Sequence, residues 1–222
     1  MIRFNKPSIT ELEKKYVLDA MENSILSGDG KYTTAVYEQF EKRFGIKNML
    51  LTTSGTTALE MASILINLEA GDEILITTSE HASNVLPWFR LSKDLGCIVN
   101  FIPLDESLHV TLDNVRKSIT PNTKVIALAG ITNVIGDIRP IKEITKLAHE
   151  HNIFVVVDGA QMVPHLKTDV QDLDIDFLAF SGHKMLGPTG VGILYGKKEL
   201  LEELEPINLG GGMNESFDTV DT

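Results

Sequence analysis

Residues 153–195 read IFVVVDGAQMVPHLKTDVQDLDIDFLAFSGHKMLGPTGVGILY. Three runs in this stretch, 153–158 (IFVVVD), 176–180 (DFLAF) and 191–195 (VGILY), are short, apolar and rich in β-branched and aromatic residues, so they read as strands. The first two are too continuously apolar to have one wet face, as expected of strands covered on both sides. Upstream, four more runs carry the same signal: 49–52 (MLLT), 73–77 (EILIT), 98–102 (IVNFI) and 124–129 (KVIALA). Helix-length amphipathic stretches separate them at 56–67, 113–119 and 141–151, the last with Ile141, Ile144, Leu147 and Ala148 on one stripe. Strands alternating with helices form βαβ units, which predicts an α/β fold: a three-layer α/β/α architecture around a mostly parallel seven-stranded sheet.

Two helices are expected ahead of the sheet. The first opens at Ser8 with Glu11 three residues on, a capping-box signature, and places Ile9, Leu12, Tyr16 and Ala20 at helical spacing. Residues 27–31 (SGDGK) break it, and a second helix is expected over about 34–44 with Val36, Tyr37, Phe40 and Phe44 as its apolar face. After a last helix at 197–204 the chain passes through Gly210, Gly211 and Gly212 and ends in polar residues. The organisation expected is an N-terminal helical segment at 1–47, a ligand-binding large domain at 48–212 and a tail at 213–222.

Composition narrows the function. At 222 residues the chain suffices for one generous domain or two small ones. Its net charge of −11 opposes a nonspecific nucleic-acid binder, which needs a basic footprint. The single cysteine, Cys97, cannot form an internal disulfide or a cysteine-based metal cage. No apolar run approaches the roughly 20 residues of a membrane-spanning helix, and the first ten residues lack a signal-peptide core. A cytoplasmic protein is the expectation, with neither nucleic acid nor membrane as partner.

In an open parallel sheet, ligands sit beyond the carboxyl ends of the strands. Lys184 follows the run 176–180 within Ser181-Gly182-His183-Lys184; there it is either a nucleophilic amine whose pKa burial lowers, or a solvated loop lysine. Asp158 ends its buried run, where an acid needs a positive partner such as a cationic ring nitrogen, unless it caps the helix that follows. Gln161 follows three residues later and can bond a ligand or the backbone. Ser54-Gly55-Thr56-Thr57 opens a helix where an anion such as phosphate fits, or where Ser54 or Thr56 simply caps. His81 stacks on a flat ligand, shuttles protons or caps a turn. Asn133 is a turn residue by default and a ligand donor by position. No P-loop or dinucleotide fingerprint is present, and the six histidines form no HExxH, so no metal is expected. A Lys for a Schiff base, an Asp for a pyridinium nitrogen and a Gly-Thr-Thr helix start for a phosphate are together what pyridoxal 5'-phosphate (PLP) requires.

The stretches SEHASNVLPW, ITNVIGDIRPI, VVVDGAQMVPHLKTDVQDLDIDFLAFSGHKMLGPTGVGILYGKKELL and LGGGM resemble the class V aminotransferase and cysteine desulfurase family of fold-type I PLP enzymes, especially its sulfur-mobilising desulfurase and selenocysteine lyase branch. The resemblance implies that Lys184 carries the Schiff base and moves the substrate proton. It also implies that Asp158 pairs with the pyridine nitrogen, Gln161 contacts the ring hydroxyl and His81 stacks on the ring. Gly55, Thr56, Thr57, Ser181 and His183 then hold the phosphate, with Asn133 on the substrate side. An amino-acid substrate, a homodimer and, for a desulfurase, a sulfur-acceptor protein are further implications.

Two departures stand beside the match. Where that branch has two adjacent histidines, this chain has His81 then Ala82, and residues 1 to about 70 resemble the DegT-type sugar aminotransferases instead. The chain is also expected to stop where the family's small C-terminal domain begins, and Cys97 does not stand at the position of the sulfur-accepting cysteine. The resemblance therefore implies a PLP-dependent transferase or lyase, desulfurase-like but without the desulfurase cysteine loop. The alternative is a noncatalytic PLP-binding or scaffold fragment.

Overall fold

Successive residues of the run Val155, Val156 and Val157 enter different cores: Val155 and Val157 lie in one apolar cluster and Val156 in another. The same alternation recurs on neighbouring strands, with Ile126 and Leu128 facing the first cluster and Val125 and Ala127 the second. Side chains on a strand point alternately to its two faces, so the continuous apolar runs are the mark of a sheet buried on both sides. The computed structural model describes residues 9–23 and 30–202.

The strands are β1 (Met49–Thr52), β2 (Glu73–Ile76), β3 (Ile98–Phe101), β4 (Thr123–Ala129), β5 (Phe154–Asp158), β6 (Phe177–Ser181) and β7 (Gly192–Gly196), and they form one sheet in the order β1-β7-β6-β5-β4-β2-β3. Every pair from β3 to β6 is parallel. β7 is antiparallel to both β6 and β1. The antiparallel strand has a simple cause: the connection 182–191 is shorter than the dozen or so residues a parallel crossover takes. Because β1 pairs antiparallel with β7, it runs in the same direction as β6 and opens at the same edge.

One face of the sheet is covered by α2 (Lys31–Phe44), α5 (Leu112–Ser118), α6 (Ile141–His149) and the short α7 (Met162–His165) and α8 (Val170–Leu173). The other is covered by α3 (Gly55–Leu65), α4 (Leu86–Leu95) and α9 (Lys198–Glu202). The expected stripe on α6 is buried at Ile141, Ile144, Leu147 and Ala148. On the opposite face Trp88 is fully buried and donates from its indole nitrogen to Asn84 Oδ1 at 3.3 Å, the partner a buried indole needs. The three layers and seven strands match the expectation, with strand ends displaced by one residue at most.

The N-terminal helices differ from it. α1 (Glu11–Glu22) is capped by Thr10, whose hydroxyl accepts the Leu12 amide at 3.2 Å while Glu13 returns to the Thr10 amide at 2.7 Å. Ser8 with Glu11 and Thr10 with Glu13 satisfy the same capping-box spacing, so spacing alone does not choose between them; Ser8 itself lies outside the described residues. No side chain of α1 is buried, and Leu12 and Tyr16 are exposed, so its apolar stripe does not reach the core. α2 starts three residues earlier than expected, at Lys31, with Gly30 as its cap. The Gly210 to Gly212 run and the tail at 213–222 fall outside the described residues.

Candidate active site

The chain reverses its direction of travel across the sheet at β2 and β4: β2 continues outward to β3, while β4 continues the opposite way to β5. A crevice opens beyond the carboxyl ends at such a switch point. The residues singled out from sequence stand around this edge.

On one side, the exits of β1 and β6 are joined. The Gly55 amide donates to Ser181 Oγ at 3.2 Å. No side chain fits at position 55, since a Cβ there would lie 2.4 Å from Ser181 Oγ and 3.2 Å from the Phe180 carbonyl carbon. Ser54 caps α3 by accepting the Thr57 amide at 3.0 Å. The first helical amides are therefore partly committed, Gly55 to Ser181 and Thr57 to Ser54, while the Thr56 amide has no acceptor among the described residues. The Thr56 hydroxyl bonds Ser83 at 2.9 Å, and Thr57 Oγ1 lies 3.0 Å from Ser54 Oγ.

Lys184 stands three residues beyond β6 in a 3-10 turn, Gly182–Met185. The Gly187 amide closes this turn on the Gly182 carbonyl at 2.9 Å, a contact so tight that a Cβ on Gly187 would sit 2.8 Å from that oxygen. Lys184 is half-buried, His183 is exposed and Ser181 is buried.

Asp158, at the end of β5, is paired in register with Ala179 of β6. Its carboxyl is buried; Oδ1 accepts the Ala160 amide at 2.9 Å, and no cation lies within ion-pair distance among the described residues. Burial pushes this carboxyl above the ordinary carboxylate value, with the charge of Glu80 adding to the rise, while the Ala160 amide, Lys184 and His81 restrain it. Lys184 and His81 are thus both within electrostatic reach of one carboxyl, on the same edge of the sheet. Gln161 is half-buried at the start of α7.

His81 precedes a second 3-10 turn, Ala82–Asn84, and caps it: its Nδ1 accepts the Ser83 amide at 3.1 Å. An amide can only donate, so Nδ1 is the acceptor and the ring proton sits on Nε2. Both the cap and an outward N–H are therefore available from one exposed ring. Asn133 occupies the tip of a small hairpin closed by the Ile131 to Ile138 bridge and is exposed.

Sequence reasoning missed two participants. Ser83 bonds both the His81 ring at 3.1 Å and the Thr56 hydroxyl, so it connects the two loops. Arg139, its side chain wholly buried, lies at the switch point and pairs with Glu80, also wholly buried. The one signal for Arg139 was a charge set between Ile138 and Pro140 just ahead of the apolar stripe of α6, because such a charge, if buried, needs a partner.

Comparison with known proteins places this edge in context. A probable cysteine desulfurase of Halalkalibacterium halodurans is 45% identical over 170 residues, which cover 75% of this chain and 42% of the relative. One from Staphylococcus epidermidis is 46% identical over 172 residues, covering 74% and 41%. This chain therefore spans about two fifths of the length of the curated relatives it matches. The crystal structure of the Escherichia coli cysteine desulfurase CsdA superposes with a TM-score of 0.77 at 31% identity, covering 98% of this chain and 53% of that one. A C-DES mutant with glycine covalently linked to its PLP cofactor gives 0.77 at 25% identity, covering 90% and 56%. The model of the aminotransferase class-V family matches residues 14–222, a span that begins within α1 and takes in α2, all seven strands and each candidate site residue. With the sheet order, the strand-end site and this match in agreement, the chain belongs to the class-V aminotransferase family.

Proposed function

We propose that this chain is the PLP-binding portion of a cysteine desulfurase-like enzyme acting on an amino acid. The carrying observation is Asp158: a carboxyl buried at a strand end, without a cationic partner among the described residues, one strand from a half-buried lysine. A buried carboxylate in that state is costly, and a ring N–H⁺ is the partner it lacks; the residues present fit the cofactor. The Thr56 amide, which has no acceptor among the described residues, and the dipole of α3 suit the cofactor's phosphate, alongside Thr57, Ser181 and His183.

When bound, the cofactor supplies a cationic ring that accepts the electron pair left at the substrate's Cα. Asp158 would keep that ring nitrogen protonated, and the tight turn around Gly182 and Gly187 fixes the backbone from which the Lys184 side chain reaches out. Lys184 Nζ is the group to take and return the Cα proton. The His81 ring, with Nδ1 held by Ser83, presents its face and its Nε2–H, and Gln161 and Asn133 supply donors at the ring hydroxyl and the substrate side. A homodimer in the cytoplasm, an amino-acid substrate and a sulfur-acceptor protein accompany this reading, drawn from the family resemblance.

The alternative reading is that these residues hold the cofactor without turnover. Incubation with PLP, borohydride treatment and peptide mapping test the first part: the mapped label is expected at Lys184 and absent from Lys184→Ala. Addition of L-cysteine or L-alanine then separates the two readings, because only a competent pocket shifts the cofactor's absorption band. Protein that stays colourless and unlabelled overturns both.

A further inference from the structure

Beside the switch point between β2 and β4 lies a buried network centred on Arg139. Its Nη1 pairs with Glu80 Oε1, and its Nη2 donates to Thr77 Oγ1 at 2.9 Å and Ser79 Oγ at 2.8 Å. Its backbone amide donates to the Gly130 carbonyl at 3.1 Å, closing the base of the hairpin that carries Asn133. Glu80, immediately before His81, uses every remaining acceptor position on structural donors. Oε1 takes the Thr77 hydroxyl at 2.7 Å; Oε2 takes Asn84 Nδ2 at 3.0 Å and the Ala129 amide at 2.7 Å. Asn84 in turn donates its amide to the His81 carbonyl at 2.8 Å. The His81 peptide is therefore clamped on both sides, by Glu80 before it and Asn84 after it, and the clamp is tied to the end of β4 and to the Asn133 hairpin through one guanidinium.

Removing one partner from a buried ion pair leaves an uncompensated charge, and a planar five-donor fork cannot be replaced by an ammonium without losing contacts. Burial of this kind is not required to hold a sheet whose two cores are already apolar. We propose that Glu80 and Arg139 are positioning residues that hold the His81 ring and the Asn133 hairpin in one rigid arrangement over the cofactor site. The proposal rests on the PLP reading for what the His81 ring faces. The orientation of His81 itself does not depend on that reading.

The test uses the full chain with Arg139→Lys, which keeps the charge but cannot reach Glu80, Thr77 and Ser79 together. A companion carries Thr77→Val with Ser79→Ala, which leaves the ion pair and removes two of its braces. Cooperative thermal melts establish that each is folded, and whichever variant melts cooperatively carries the readout. Nitrogen-15 NMR of the imidazole reports the His81 tautomer without cofactor, and spectral titration reports the PLP dissociation constant. Wild type is expected to show one Nε2–H tautomer. The folded variants are expected to show mixed tautomers and PLP affinity weakened about 10- to 100-fold, by analogy with the loss when groups that orient metal-binding side chains are removed. A single unchanged tautomer in a folded variant, or affinity within about twofold of wild type, overturns the proposal. Should wild type bind no PLP, the functional reading fails and the tautomer alone decides the positioning role.

Discussion

The Gly55 amide and the Ser181 hydroxyl, 126 positions apart in sequence, meet at 3.2 Å and join the start of α3 to the end of β6. This contact draws the helix N-terminus against the strand from which Lys184 departs, and it leaves no room for a Cβ. Gly55→Ala is expected to cost about 1–3 kcal/mol, as overpacked sites do, measured by urea denaturation. Adding Ser181→Ala, which removes the oxygen 2.4 Å from the new methyl, is expected to recover part of that loss. The remaining contact with the Phe180 backbone keeps the recovery incomplete.

Asp158 makes a pH-dependent prediction. Burial raises its carboxyl above the unfolded value of 3.8, so folding without cofactor shifts it toward the protonated form. Its contribution is present below 3.8 and is lost as pH rises through the higher folded value. Cofactor-free Asp158→Asn is accordingly expected to melt higher than wild type at neutral pH, with the difference vanishing in acid. The same variant is expected to bind PLP more weakly. A variant that melts lower than wild type at neutral pH would contradict the burial argument.

His109 and Asp137 give a second pH-dependent prediction. His109 Nδ1 lies 2.5 Å from Asp137 Oδ1, and Asp137 is buried while His109 is largely exposed. The hydrogen bond to Asp137 raises the histidine above its usual 6.5. The stabilisation is present below 6.5 and is lost as pH rises through the raised value. His109→Asn should therefore reduce the melting temperature in mildly acidic buffer and have a smaller effect in alkaline buffer. Equal effects at both would show that the imidazole's charge is not involved.

The two apolar cores give the most direct check on the fold. Ile126 is fully buried in the centre of β4. Ile126→Ala removes packed methylenes with little opportunity for collapse, and a loss of about 2–5 kcal/mol is expected in chemical denaturation. The same truncation at Ile98 of β3, which is 46% exposed, is expected to cost well under that. Comparable losses at the two positions would contradict the assignment of β3 to the sheet edge.

How much of this was legible in advance differs by element. Strands buried on both faces announce themselves, because IFVVVD and DFLAF have no polar alternation to confuse the reading. α1 was legible as a helix and not as a surface element: Leu12 and Tyr16 form an apolar stripe in sequence, yet no residue of the helix is buried. Periodicity reports a face and is silent on what covers it. Lys184, Asp158 and His81 stand out in the sequence by their places after strands. Arg139 was not, since its role depends on Glu80, 59 positions earlier, and no local rule connects them.

The order of apolar runs, turns and strand-end polar residues determined by itself that this chain forms layered βαβ units with its candidate site residues at one edge, because side-chain period and burial are local properties of sequence. Which strands lie side by side, and hence that Glu80 meets Arg139 and Gly55 meets Ser181, was decided only by the tertiary structure. Contacts between residues so far apart exist only once the sheet order β4-β2-β3 and the β6-β7 reversal are in place. Before that, the entropy of the intervening chain leaves them no preference for one another.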